Sequence, residues 1–314
     1  MKSAALFLLI VGFGAPCIAD SVRLQGEPFK PSVPIKWAAS DKLPNSLTIY
    51  KVIADKFSQS VSSNAMALGS LKTVNLINPP HEKGTIEFRD KREQGAANHV
   101  LRLSGHADWI EYNYNHMDEK PGVVHGVPTV DDAEALALKY FISLGGNTNE
   151  LTPKPWQHSD TTLTQLNASM QPTNKVLSAR CIYLSRQIGG IDVVGNYMWA
   201  DFGNDAKLHS LHMKWTPLQS YRVQNTAGQD QLLEWLKDGK GVRPEVFQVE
   251  PAADITGAKS FTIKRAFPIY GKGSESDPPG LLRPFLELLI EADTGTNKAD
   301  FLVDCPILAD EVLK

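Results

Sequence analysis

Cysteine is scarce in this chain: Cys17, Cys181 and Cys305 are the only three in 314 residues. So few thiols exclude a disulfide-dense miniature scaffold. Long apolar runs are missing too. No stretch reaches the roughly 18 uncharged apolar residues that suggest a membrane helix. Charge of one sign is weak, with a formal net charge of −3. A nucleic-acid surface needs a basic stripe, and anionic lipid attracts a basic cluster. Neither occurs. The chain contains no HExxH for a zinc peptidase and no GxSxG for a nucleophile elbow. Gly271-Lys272-Gly273-Ser274 is too short for a phosphate cradle and leads into Asp277-Pro278-Pro279-Gly280, so it reads as a loop.

The N-terminus carries the most informative pattern. Met1-Lys2 is a positive start, Ala4 to Phe13 is apolar, and Cys17-Ile18-Ala19 precedes Asp20. This is the layout of a secretory signal peptide cleaved after Ala19. Pro16 argues against lipidation of Cys17. Residues 1–19 are therefore set apart from the fold, and the protein is expected to be secreted or periplasmic with no integral membrane segment after signal removal. Cys181 and Cys305 are then an even pair in an exported chain, and a disulfide between them is expected.

The remaining length suggests about two domains by size. Residues 20–120 read as a β-rich region with one helix. Leu47 to Val52 is a strand candidate, and Asp55 is placed to cap a helix bearing Phe57, Val61, Ala65 and Leu68. Strands are expected at Thr85–Asp90, His99–Ser104 and Asp108–Asn115. Residues 121–222 form the next unit. Thr129 and Asp132 have capping-box spacing, an apolar helical face runs from Ala133 to Leu144, and Gly145-Gly146 can stop it. Strands follow at Leu177–Arg186, Val193–Phe202 and Lys207–Trp215. Residues 223–314 repeat that order, with Thr226 as the cap, Leu232 to Leu236 as the helix and Gly239 as the stop. Three more strands follow at Phe261–Ile269, Phe285–Ala292 and Ala299–Leu308. The expected class is α+β, with two helix-plus-antiparallel-sheet units after a β-rich N-terminal region.

The helix Asp131–Leu144, the run Arg186-Gln187-Ile188-Gly189-Gly190-Ile191-Asp192-Val193-Val194-Gly195 and the hairpin after it carry a family resemblance. Residues 129–216 resemble the PepSY and propeptide-type modules of exported bacterial proteins. The resemblance implies a non-catalytic module without cofactor, whose Gly190, Val193 and Gly195 are structural. Some such modules inhibit or chaperone a metallopeptidase, and others occur in envelope regulators.

Three local constellations could carry chemistry. His209 and His212 have H-x-x-H spacing, but Leu211, Met213 and Trp215 alternate as on a strand, which sends the two imidazoles to opposite faces. His106, Asp108, Glu111 and His116 could form an acid–base or metal site, and a secreted hydrolase around His106 and His116 is one functional alternative. Trp109, Tyr112 and Tyr114 could instead form a contact surface for a peptide or glycan. The leading expectation is a non-catalytic binder of an envelope or extracellular protein or peptide, with a purely structural envelope role as the third reading. Asn167-Ala168-Ser169 is a glycosylation sequon.

Overall fold

Local sequence signals and long-range pairing act at different levels in this molecule. In the computed structural model, the described residues are 26–53, 57–71, 76–77, 85–90, 99–104, 109–114, 124–166, 171–244, 255–272 and 280–309. The chain starts with β1 (Gly26–Phe29), β2 (Ile35–Trp37) and β3 (Ser46–Val52), then α1 (Gln59–Ala67). It continues through β4 (Leu76–Ile77), β5 (Thr85–Arg89), β6 (His99–Ser104) and β7 (Trp109–Tyr114) to α2 (Val130–Ser143). Next come β8 (Gln157–Leu166), β9 (Pro172–Ile188), β10 (Ile191–Phe202) and β11 (Leu208–Lys214). The last elements are β12 (Leu218–Asn225), α3 (Gln229–Lys237), β13 (Gly241–Pro244), β14 (Ser260–Lys272), β15 (Leu281–Asp293) and β16 (Lys298–Pro306).

These elements group into two compact units. Residues within 54–186 and 196–217 belong to unit 1, and residues within 19–53, 187–195 and 218–314 to unit 2. In unit 1 the strand order is β8-β9-β10-β11-β7-β6-β5-β4. Its core joins Ala133, Ala137 and Phe141 of α2 to Leu101, Tyr112 and Leu211 of the sheet. In unit 2 the order is β1-β13-β16-β15-β14, with β2 parallel to β14 and β3 paired to both β15 and β12. Leu232 and Leu236 of α3 pack there against Leu286, Leu288 and Val303.

This architecture corrects the α+β expectation. The protein is mostly β, with sixteen strands and three α-helices among the described residues. It is not a pair of PepSY-like helix-plus-sheet modules. The repeated order of helix and strands along the chain does not mark closed modules, because strand partners come from far away. Residues 26–53 read as part of the N-terminal region, yet β1 pairs β13 and β3 pairs β12 and β15 in unit 2.

The local signals behave unevenly. Thr129 does cap α2: its Oγ1 accepts the Asp132 N–H at 3.2 Å and donates to Asp132 Oδ2 at 2.7 Å. Gly145 (φ 87°) and Gly146 then close the helix through N–H bonds to Ile142 O and Phe141 O at 3.0 and 2.9 Å. Thr129→Ala should cost about 1 kcal/mol, read as a lower melting temperature that Thr129→Ser restores. Gly189 and Gly190 both take positive φ (60° and 81°) and form the tight turn between β9 and β10.

The other two caps differ from expectation. The N-cap of α1 is Ser58, whose Oγ accepts the Val61 N–H; Asp55 lies outside the described residues. The N-cap of α3 is Gly228, with no side-chain cap bond. Thr226 instead donates its hydroxyl to Pro44 O and bridges Leu308, so a tertiary contact takes the group that the local spacing assigned to the helix.

Cys181 and Cys305 are not joined; the structure keeps both as thiols. Cys181 sits on β9 opposite Ser159 in unit 1. Cys305 is buried in the core of unit 2, on the same strand as Phe301 and Val303. Cys181 is partly buried and bonds to Tyr183, and Cys305 is fully buried.

Candidate functional site

Strand alternation decides which side chains of β7 can act together. Along Trp109-Ile110-Glu111-Tyr112-Asn113-Tyr114, Ile110 and Tyr112 are buried, while Trp109, Glu111 and Asn113 are half-buried. Successive residues point to opposite faces of the sheet. The helices α1 and α2 cover the Ile110 and Tyr112 face, where Ala65, Ala133 and Phe141 join the core. Trp109 belongs to the other face.

Trp109, Tyr112 and Tyr114 therefore do not form one surface. Tyr112 is a core residue whose hydroxyl meets His99 Nδ1 at 2.7 Å. Burial pushes that hydroxyl well above the ordinary phenol value. Tyr114 stacks on the His99 ring at 4.8 Å, and Lys207 Nζ sits 3.6 Å from the Tyr114 ring centroid. Burial lowers the His99 imidazole below its usual value; Asp90 pulls it up and Lys207 pushes it down.

On the face opposite α1 and α2, Trp109 joins residues that the sequence alone did not connect to it. Its ring lies parallel to His212 of β11, with centroids 6.2 Å apart and planes 12° apart. Trp199 and Tyr197 of β10 lie against the same imidazole at 6.1 and 5.5 Å. His212 is thus the centre of three aromatic rings. The signal was available in part, because Tyr197 and Trp199 alternate with buried Met198 and Ala200 along β10. His209 and His212 do part company as the alternation implied: His209 lies near Tyr114 at 6.1 Å.

A charged row crosses the same face. Cross-strand partners run Glu87–Arg102–Glu111–His212–Trp199 over β5, β6, β7, β11 and β10. Arg102 Nε reaches Glu87 Oε2 at 2.8 Å, and Arg102 Nη1 reaches Glu111 Oε2 at 3.3 Å. Arg89 also pairs with Glu87, and Asn113 donates to Glu111 Oε1 at 2.7 Å. Burial raises the Glu87 carboxyl, but the hydrogen bonds and charge of Arg102 and Arg89 outweigh it and leave Glu87 below its usual range. The row's carboxylates and guanidinium hold one another in place. Arg102 (38% exposed) and Glu111 (27%) keep donors and acceptors at set positions beside flat apolar rings, whereas Glu87 is buried, at 2% exposed.

The Cys181 thiol is pushed up to about 12, chiefly by burial and then by the Asp201 charge, which keeps it protonated. Among the described residues, no three His, Cys, Asp or Glu side chains are grouped as a metal would require. No helix among them is long and apolar enough to cross a membrane. His106, Asp108 and His116, on which the hydrolase alternative rests, lie outside the described residues.

No family model matches the chain. No curated protein matches it. Among solved structures, an uncharacterized protein from Eubacterium rectale ATCC 33656 is similar at 11% identity and a TM-score of 0.42, over 87% of this chain and 85% of that one. The C-terminal domain of Bacillus megaterium YpeB is similar at 9% identity and a TM-score of 0.33, over 78% of this chain and 98% of that one. Both likenesses are weak and carry no argument about function.

Proposed function

We propose that this protein is a non-catalytic binder of another protein or a peptide, and that the ligand docks on the face of the unit 1 sheet opposite α1 and α2. One observation carries the reading. Half-buried Trp109, Tyr197 and Trp199 surround His212 next to a charged row already locked by its own salt bridges. Rigid aromatic anchors beside pre-positioned polar groups are what tight recognition uses. The resemblance of Arg186–Gly195 to PepSY and propeptide-type sequences agrees with a non-catalytic role. Inhibition of a secreted peptidase and a part in envelope regulation are two specific versions. The signal-peptide layout of residues 1–19 supports a secreted or periplasmic location. N-terminal sequencing of the exported protein checks that point, with Asp20 as the expected first residue.

The binding face is tested with Trp109→Ala. A polypeptide captured from the native extracellular or periplasmic fraction is purified and titrated against wild type and variant. Trp109→Ala should weaken binding by more than about 1 kcal/mol, as loss of an aromatic anchor does. A loss of roughly 3–5 kcal/mol of stability instead would make Trp109 a packing residue and remove the proposed face. Unchanged affinity in both Trp109→Ala and Trp199→Ala would also end the reading.

A further inference from the structure

We infer that β12 is a dimerisation edge, which pairs antiparallel with β12 of a second copy of this chain. The inference concerns unit 2 and does not rest on the binding face of unit 1.

Strand β12 hydrogen-bonds β3 along one side; on the other side the Ala309 N–H already donates to the Asn225 carbonyl at 2.9 Å, and among the described residues no strand lies along 218–224. Gln219 to Val223 are five successive exposed residues. Among the described residues, large apolar side chains are exposed at only four positions, and two of these are Tyr221 (57%) and Val223 (64%) on this one strand. An exposed edge that carries apolar side chains is a template for another strand, because its outward N–H and C=O groups are met most fully by an extended backbone.

Of the means by which sheet edges avoid such pairing, this strand has one charge and one bulge and lacks the others. Leu218–Asn225 holds no proline, no lysine and no acid; Arg222 is its one charge. The register against β3 shifts between Ser220 and Arg222, which leaves Tyr221 outside that ladder. A bulged residue of this kind has its backbone groups uncommitted to the neighbouring strand.

The same features choose the occupant. A two-fold axis through the middle of β12 sets the strand against its own sequence, so one patch supplies both sides of the contact. Only the register that places Arg222 against its own copy meets like-charge repulsion. A shift of one residue places Arg222 beside the Tyr221 ring of the second copy. That contact repeats the one already made within the strand, where the guanidinium lies 5.7 Å from the Tyr221 centroid. A charged peptide would find one cation and no anion to recognise here.

Sedimentation equilibrium of the exported chain tests the inference. Wild type should show a monomer–dimer equilibrium, and Val223→Lys and Tyr221→Asp should each raise the dimer dissociation constant at least about tenfold. Both positions are exposed, so at concentrations well below the dimer dissociation constant thermal melting of the variants should match wild type, and Trp109→Ala should leave dimerisation unchanged. A wild-type chain that stays monomeric up to about 100 μM overturns the inference. So does a dimer that both edge variants leave intact, since it would use another surface.

Discussion

Arg186→Ala should lower the unfolding free energy of unit 1 by about 3 kcal/mol, the low end for removing one partner of a buried ion pair. The Arg186 side chain is only 2% exposed. Its Nη1 donates to Asn196 Oδ1 at 2.9 Å and to the Thr216 carbonyl at 2.7 Å. Its Nη2 lies 2.7 Å from Glu150 Oε2, and the guanidinium stands over the Trp215 ring at 5.1 Å. The Asn196 amide oxygen also accepts the Thr216 N–H at 3.1 Å, so one cation ties together a loop, two strand ends and a core ring. Removing the cation strands these acceptors in a poorly solvated place. Glu150 is 27% exposed and regains some water, which keeps the expected loss at the lower end. Urea denaturation with Arg186→Ala, Arg186→Met and Glu150→Gln separates the terms. The methionine variant should recover part of the loss through packing on Trp215. If Arg186→Ala unfolds at the wild-type midpoint, the network is ornamental and the account is wrong.

Phe141→Ala should cost about 4 kcal/mol. Phe141 is fully buried on α2. Its ring meets Trp215 edge-on at 4.6 Å. A Cβ on Gly146 would come within 2.3 Å of the same ring, so the turn that ends α2 is moulded around it. Alanine would leave a cavity that the closed helix end cannot collapse to fill, and Phe141→Leu should recover more than half of the loss. Gly146→Ala should also destabilise by overpacking this contact. Equal melting temperatures for wild type and Phe141→Ala would contradict the core described for unit 1.

The sequence was legible where the physics is local. Apolar spacing from Ala133 to Leu144 placed α2, the threonine before it placed the cap, and the two glycines placed its end. The alternation around His209 and His212 correctly separated the two imidazoles. Legibility failed wherever a residue had a distant competitor. Thr226 has the spacing of a helix cap, but its hydroxyl goes to Pro44, 182 residues away. Trp109, Tyr112 and Tyr114 look like one aromatic surface along the chain, yet the pleat sends Tyr112 to the core beside His99. The candidate face needed β10 and β11 to lie next to β7, and no local pattern shows which strands become neighbours.

The sequence by itself determined the residue-level grammar: short-range caps, glycine turns, the alternation of each strand, and the lack of any contiguous catalytic or metal motif. These depend on interactions within a few residues, so they survive whatever the rest of the chain does. Only the tertiary structure decided the mostly-β class, the recruitment of β1–β3 into unit 2, and the gathering of three rings around His212. Each of these depends on strand pairing between residues far apart in sequence, where the hydrogen-bonding groups are the same for every candidate partner. The choice among partners is made by the burial of whole sheet faces, which no single segment encodes.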